Sequence, residues 1–376
     1  MLKPFNILDW YLALRRSLSP RADPPSGVLL LSCGGLGDMV LFALVLPRFM
    51  ELAGEGEKVN VLVRDDAKKM TFLFPPGVEV KAVDFRRLRK DLTYRRQTSE
   101  ELFQANFRLV VTTDFKRHPF LDEALAAAAA APETAAMQAR SWTKYDAQLK
   151  HNRRLFKRLY ESGPEHLDKV VRWSNFADWL SGDKQPPPLA RLADDPTGPA
   201  ETAGADEVIV QPFSAVRQKQ SPPALYERIA EAVGEGHRMI VTGTQGDLEA
   251  SPDYGPLLAR PNVTFDSSTF EALAPRLKGA RLVISVDTAL MHLAVALGAP
   301  TLCLASAAFV GEIVPYDPAI TPENAHFMYH SMPCEGCLGT CSLPEESGAY
   351  PCITRLDGDA VVAKVEELLA ANSKGG

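Results

Sequence analysis

The stretch Ala280–Ala305, ARLVISVDTALMHLAVALGAPTLCLA, decides the fold. Its run Leu282–Ser285 has the length and apolarity of a buried strand, a helix follows from Thr288, and Cys303 lies in a further apolar run. Strand, turn, helix and strand again is the unit from which parallel α/β sheets are built. Asp287 and Thr288 fall at the carboxyl end of the strand, which is where open α/β sheets bind ligands. Asp or Thr at a helix start also caps the helix, so a purely structural role stays open there. His292, on the first turns of that helix, reads by itself more readily as a buried core histidine than as a ligand.

The alternation continues outward from this stretch. Strands are expected at Val28–Ser32, Val59–Val63, Val78–Val83, Leu109–Thr113, Val208–Gln211 and Met239–Thr242. Helices are expected at Leu36–Leu52, Pro119–Ala131, Tyr226–Val233, Phe270–Leu277 and Gly358–Leu369. Residues 182–204, GDKQPPPLARLADDPTGPAETAG, hold five prolines and three glycines, which break any period and mark a connection between domains. A chain of 376 residues is about two and a half ordinary domains long. The expected division is an N-terminal domain over 1–185, a Pro-rich linker over 186–204 and a C-terminal domain over 205–376 that carries a Cys-rich segment at 334–352.

Two further segments carry candidate chemistry. LLLSCGGLGDMVLFALVLP at 29–47 places Gly34, Gly35 and Gly37 between a strand and a helix, where small residues allow close approach and helix N–H groups point outward. Asp38 sits just inside that helix, either as a charge favoured by the helix dipole or as a reactive carboxylate. VIVQPFSAVRQKQSP at 208–222 makes a second strand, loop and helix start, with Ser214, Arg217 and Lys219 in the loop. A cation there could neutralise a diphosphate, or could simply be solvated.

Composition excludes several classes. With 46% hydrophobic and 23% charged residues the chain is too apolar for disorder. No apolar run approaches the roughly 20 residues of a membrane helix, and the N-terminus lacks the core of a signal peptide, so a cytoplasmic protein is expected. The net charge of −6 is unevenly spread. Residues 1–190 hold 29 Lys and Arg against 23 Asp and Glu, a net of +6, and residues 191–376 hold 12 against 24, a net of −12. Only the first half would attract an anionic partner. Its basic clusters at 81–117 and 140–158 come without any nucleic-acid motif, so nucleic acid is not expected as a partner. The N-terminal segment with Trp10, Tyr11, Arg15 and Arg16 could lie at a membrane interface or pack on the protein.

Taken in order, the three segments resemble glycosyltransferase family 9, the ADP-heptose:lipopolysaccharide heptosyltransferases. Gly35-Leu36-Gly37-Asp38 through Pro47 is similar to the family's N-terminal Gly-Asp loop, and Lys219 ahead of Ser221-Pro222 to its second-domain lysine. Asp287-Thr288-Ala289-Leu290-Met291-His292 and Leu297-Gly298-Ala299-Pro300-Thr301 are similar to its Asp-Thr-Gly-x-x-His and Ala-x-Gly-x-Pro-Thr signatures. The resemblance covers residues 28–369. It implies the GT-B fold, two Rossmann-like domains facing across a cleft, with acceptor bound by the N-terminal half and nucleotide-sugar by the C-terminal half. It also implies inversion at the anomeric carbon without a catalytic metal. Asp38 would be the base, with Gly35 and Gly37 in its phosphate loop. Ser214, Lys219, Asp247, Asp287, Thr288 and His292 would serve the donor, an ADP-heptose or related sugar. Here Ala289 replaces the family glycine, and Gln220 and Ser221 stand where an aromatic residue is usual. An anionic glycolipid or glycan acceptor and peripheral contact with the inner membrane complete the expectation.

Cys334, Cys337, Cys341 and Cys352 have metal-ligand spacing and suit zinc or iron in a structural role. Free thiols and a disulfide are the other readings. A related branch of the family, the autotransporter heptosyltransferases, resembles this segment in having an iron-bound cysteine finger, which makes a protein acceptor the alternative. A member that binds nucleotide-sugar without catalysis is a third reading, prompted by Ala289 and the missing aromatic.

Overall fold

The computed structural model describes residues 4–19, 21, 23–201 and 206–372; residues 202–204 of the expected linker lie outside them. The chain divides into two compact units, residues 1–165 with 172–186 and residues 166–171 with 187–376. Each unit is built on one parallel six-stranded sheet.

The first unit contains β1 (Val28–Leu31), β2 (Val59–Arg64), β3 (Val78–Val83), β4 (Leu109–Thr112), β5 (Glu133–Met137) and β6 (Arg158–Tyr160), side by side as β3-β2-β1-β4-β5-β6. Its helices are α1 (Pro4–Ser17), α2 (Leu36–Met50), α3 (Phe85–Lys90), α4 (Leu92–Gln104), α5 (Asp122–Ala129), α6 (Asp146–Asn152) and most of α7 (Lys169–Ser181). Every residue of β1 and β4 is buried, as helices on both faces of a parallel sheet require, so these strands read as unbroken apolar runs. Leu29, Leu31 and Val110 share a core with Leu125 and Ala129 of α5. The alanine run is helical as expected, but only to Ala129. Ala130 turns left-handed at φ 48°, and the Arg21 guanidinium donates to the carbonyls of Ala129 and Ala130.

β5 and β6 escape the sequence pattern. ETAAM has one β-branched residue and reads as helix former, yet Ala135 and Ala136 are fully buried because β4 and β6 pair on either side.

The second unit contains β7 (Glu207–Gln211), β8 (Arg238–Thr242), β9 (Val263–Asp266), β10 (Leu282–Val286), β11 (Thr301–Leu304) and β12 (Ala325–Met328), ordered β12-β11-β10-β7-β8-β9. Its helices are α8 (Pro223–Val233), α9 (Gln245–Glu249), α10 (Gly255–Leu258), α11 (Phe270–Gly279), α12 (Ala289–Ala296), α13 (Pro351–Thr354) and α14 (Gly358–Asn372). Val361, Val365 and Leu368 of α14 close a core that includes Tyr226 and Ile229 of α8. The Pro-rich segment runs along this unit: the N–H groups of Ala190, Leu192 and Glu201 donate to the carbonyls of Ile320, Ala296 and Pro275. No helix among the described residues is long and apolar enough to cross a membrane.

Read from its own first strand, each sheet has the same doubly wound order. The chain starts in the middle, winds to one edge, returns and winds to the other. Loops therefore leave in opposite directions between β1 and β4, and again between β7 and β10, opening a crevice at the carboxyl ends of those strands.

Candidate functional site

At the first crevice, β1 runs through Ser32 and Cys33 into Gly34 and Gly35, and α2 begins at Leu36. Asp38 occupies the third position of the helix, and its Oδ2 accepts from the Gly35 N–H at 2.6 Å. The carboxylate thus closes the helix N-terminus, where a negative charge is favoured. A Cβ at position 34 would stand 2.4 Å from Asp38 Cβ, so only glycine leaves room for this side chain. Position 35 has more space, its nearest neighbour being Asp38 Oδ2 at 3.7 Å. Gly37 lies in the first turn of α2.

Sequence reading missed the groups beside this loop. Asp114 follows β4, and its Oδ2 accepts from the Cys33 N–H at 2.6 Å, tying the two strand ends of the crevice together. Asp122 of α5 accepts from the His118 N–H at 2.7 Å. Among the described residues, Cys33, Asp114 and Asp122 are the set of three potential ligands whose donor atoms lie within 4.8 Å of one another, and all three are buried. Burial pushes the Asp122 carboxyl up to about 6, against the pull of its backbone hydrogen bonds. The Cys33 thiol is raised by burial and by the Asp122 and Asp114 charges. The strand-end rule that singled out Asp287 applies equally to Asp114 and would have found it.

At the second crevice the structure brings two expected residues together. Lys219 ends a short 3₁₀ turn, Arg217–Lys219, after β7, and Asp287 follows β10. Lys219 Nζ lies 2.5 Å from Asp287 Oδ2, with both residues buried at 8% and 6% exposure. The two form a buried ion pair. The ammonium also sits 4.7 Å from the centre of the Phe309 ring. Cys303 of β11 is buried close enough for its thiol to feel both charges, and burial raises its pKa.

Thr288 is the N-cap residue of α12, its hydroxyl 3.2 Å from that of Ser285. His292 is 4% exposed, and its Nδ1 is 2.6 Å from the Tyr316 hydroxyl, an arrangement that braces α12 within the unit. Ser214 turns its own loop, its hydroxyl accepting from the Val216 N–H at 3.2 Å. Asp247 stands apart from the pair at the start of α9 and forms a capping box with Thr244, accepting from the Thr244 N–H at 2.8 Å. At neighbouring strand ends of this unit, Gln211 Oε1 at the end of β7 and Ser306 Oγ just beyond β11 are buried without a hydrogen-bond partner among the described residues. Buried groups of this kind ordinarily find partners. A separate cavity of about 250 Å³ in the same unit is lined by Arg217, Ser221, Asp253 and Tyr254 among others.

Cys334, Cys337, Cys341 and Cys352 all line one cavity of about 10 Å³, closed by Met332 and Tyr350. That volume holds about one water-sized body. No three of the sulfurs approach within 4.8 Å of one another, wider than the roughly 3.8 Å between ligands of a tetrahedral thiolate site. Thiols suit zinc or iron in kind, and as placed no three of these four close on a single ion. Burial and the neighbouring Cys337 and Cys341 raise the Cys352 thiol pKa.

Comparison with known proteins agrees with this architecture. A family profile described as "Glycosyltransferase family 9 (heptosyltransferase)" matches residues 128–335. The match includes Lys219, Asp287, Thr288 and His292, while Asp38 and three of the four clustered cysteines lie outside it. No curated protein matches the chain. Among solved structures, a glycosyl transferase family 9 protein from Veillonella parvula superposes with a TM-score of 0.67 at 16% identity, covering 93% of this chain and 98% of that one. The E. coli heptosyltransferase WaaC, solved with ADP-2-deoxy-2-fluoro heptose, gives 0.64 at 19% identity over 90% and 99%. The iron-containing dodecameric glycosyltransferase TibC from enterotoxigenic E. coli gives 0.55 at 13% identity over 95% and 82%. These likenesses establish the shared GT-B fold.

Proposed function

The chain belongs to glycosyltransferase family 9 and is a glycosyltransferase; on that premise we propose that it moves a heptose or related sugar from an ADP-sugar to a lipopolysaccharide-type or other anionic bacterial glycan. The observation that carries the donor side is the buried Lys219–Asp287 pair at the second crevice, with Gln211 Oε1 and Ser306 Oγ buried and unpartnered at the ends of the flanking strands. An incoming diphosphate offers Lys219 a second anion and offers the Ser306 hydroxyl an acceptor. Thr288, at the N-terminus of α12, adds a helix end suited to an anion.

In the proposed reaction the acceptor hydroxyl oxygen attacks the anomeric carbon on the face opposite the diphosphate. The bond from that carbon to the diphosphate breaks, and its electron pair leaves on the phosphate oxygen, where Lys219 stabilises the charge in place of a metal. The hydroxyl proton passes to Asp38. Configuration at the anomeric carbon inverts. Donor binding is assigned to the second unit and acceptor binding to the first, with Ser214 and Asp247 as further donor contacts.

The experiment is a thermal-shift screen with ADP-, GDP- and UDP-sugars followed by a transfer assay. A true donor at about 100-fold its Kd adds about 2.7 kcal/mol of stability. Asp38→Asn should leave that shift intact and lower transfer by about 10²- to 10⁴-fold. Undiminished transfer by Asp38→Asn removes it as the base, and silence toward every nucleotide-sugar removes the donor reading.

The cysteine cavity favours a second reading, a protein acceptor of the kind served by the autotransporter branch. Its premise is a structural zinc or iron held by Cys334, Cys337, Cys341 and Cys352. One equivalent of metal in protein purified without oxygen, lost in Cys337→Ser, would support the site. Intact-mass analysis of candidate protein acceptors then decides between the two acceptor classes.

A further inference from the structure

α1 presents two faces with different fates. Phe5, Asp9, Leu12 and Arg16 point inward. Phe5 and Leu12 are buried, the Phe5 ring lies 5.8 Å from Phe120, and Arg16 sits over Phe103 at 5.5 Å. Asp9 accepts from Arg95 Nε at 2.7 Å. The opposite stripe consists of Ile7, Trp10, Tyr11 and Leu14, continued by Leu18 just past the last turn, and is 48–76% exposed. Spacings of three, four, seven and eleven residues from Ile7 place these side chains on one face of the helix. They are five of the eleven exposed large hydrophobics among the described residues, so the patch is a concentration rather than scatter.

The rim of this stripe is basic. The buried Arg95 side chain of α4 bridges two neighbours: it binds Asp9 of α1 and donates through Nη1 to the Leu88 carbonyl of α3 at 3.1 Å, so one guanidinium separates the two helices. On α3, Arg86, Arg89 and Lys90 are exposed, and none forms an ion pair among the described residues. Arg15 and Arg96 share the single carboxylate of Glu100, at 3.1 and 3.8 Å.

We infer that α1 docks the enzyme on a bilayer leaflet containing anionic phospholipid. Trp10 and Tyr11 take the headgroup level, Ile7, Leu14 and Leu18 enter the acyl boundary, and Arg15, Arg86, Arg89 and Arg96 meet lipid phosphates. Charge selects this occupant over a second copy of the chain, because isologous pairing of the face would bring its unpaired cations together. The inference deepens the proposed acceptor class and rests on it only for the purpose of docking, reaching an acceptor carried in a membrane.

The test uses the full chain, without donor or acceptor, and vesicles of phosphatidylcholine with or without phosphatidylglycerol. Binding is expected to the phosphatidylglycerol vesicles, to weaken as salt rises, and to be slight on phosphatidylcholine alone. Trp10→Ser with Leu14→Ser should lower partitioning about tenfold or more. Arg86→Gln with Arg89→Gln should reduce the preference for phosphatidylglycerol, and neither pair should alter transfer to a water-soluble acceptor fragment. Absence of binding to anionic vesicles overturns the inference. So does unchanged partitioning of the Trp10/Leu14 variant, or a dimer of the wild type that this variant dissolves. Should that variant fold poorly, the arginine pair and the salt dependence decide. Persistent docking with transfer to no glycan would sink the acceptor reading and leave the docking surface standing.

Discussion

The two crevices sit at equivalent points of two sheets with the same winding, yet they present opposite chemistry. The first is lined by carboxylates: Asp38 closes the α2 terminus, and Asp114 and Asp122 are buried with Cys33 at and beside the strand ends. The second holds a buried lysine against one aspartate. Net charge predicts the reverse, since residues 1–190 carry +6 and residues 191–376 carry −12. The charge of each crevice is set by the few groups that the fold delivers to a strand end, where burial strengthens each charge, and bulk charge acts only at the surface. The basic excess of the first half is accordingly found on exposed helices such as α3, far from the acidic composition of its crevice loop.

The hardest test of this contrast is Lys219→Met. It leaves Asp287 as a buried charge without its partner, at a cost of about 3–5 kcal/mol in stability by chemical denaturation. Donor affinity should fall by about a hundredfold or more by calorimetry. Adding Asp287→Asn should restore most of the stability and none of the affinity. Recovery of both would mean that the pair serves the fold alone.

Asp122→Asn probes the acidic crevice. Its carboxyl is raised from 3.8 to about 6 by burial, so the folded state holds the proton more tightly than the unfolded chain does. The stability this confers is complete below about pH 4 and is lost as pH rises through 6. The amide should therefore add on the order of 1–3 kcal/mol at neutral pH, with the gain vanishing near pH 4. A gain independent of pH would contradict the burial argument.

The smallest effect is expected at Asp247, which holds the same helix position as Asp38 in the other unit. Asp247→Ala removes a capping box and should cost about 0.5–1 kcal/mol. If donor affinity also drops about tenfold, the residue touches the ribose as well as its helix.

Much of the fold was legible because central parallel strands are continuous apolar runs. β1, β7 and β10 fall within one residue of their expected bounds, and α2, α11 and α14 begin where their patterns begin. The edge strands β6, β9 and β12 were not, being short and only partly buried, so no periodicity announces them. The glycine loop and Lys219 were visible as residue types in suggestive loops. That Lys219 and Asp287 meet, 68 positions apart in sequence, was not visible, nor was the gathering of Cys33, Asp114 and Asp122.

Sequence alone thus determined the α/β class with parallel sheets, the three loops of suggestive residue types and the spacing of the cysteines, because each is written in local order. Tertiary structure decided which loops share a crevice, which charges are buried in pairs and which face of α1 stays outside. Those outcomes depend on strand order and on burial, and neither is a property of any one segment.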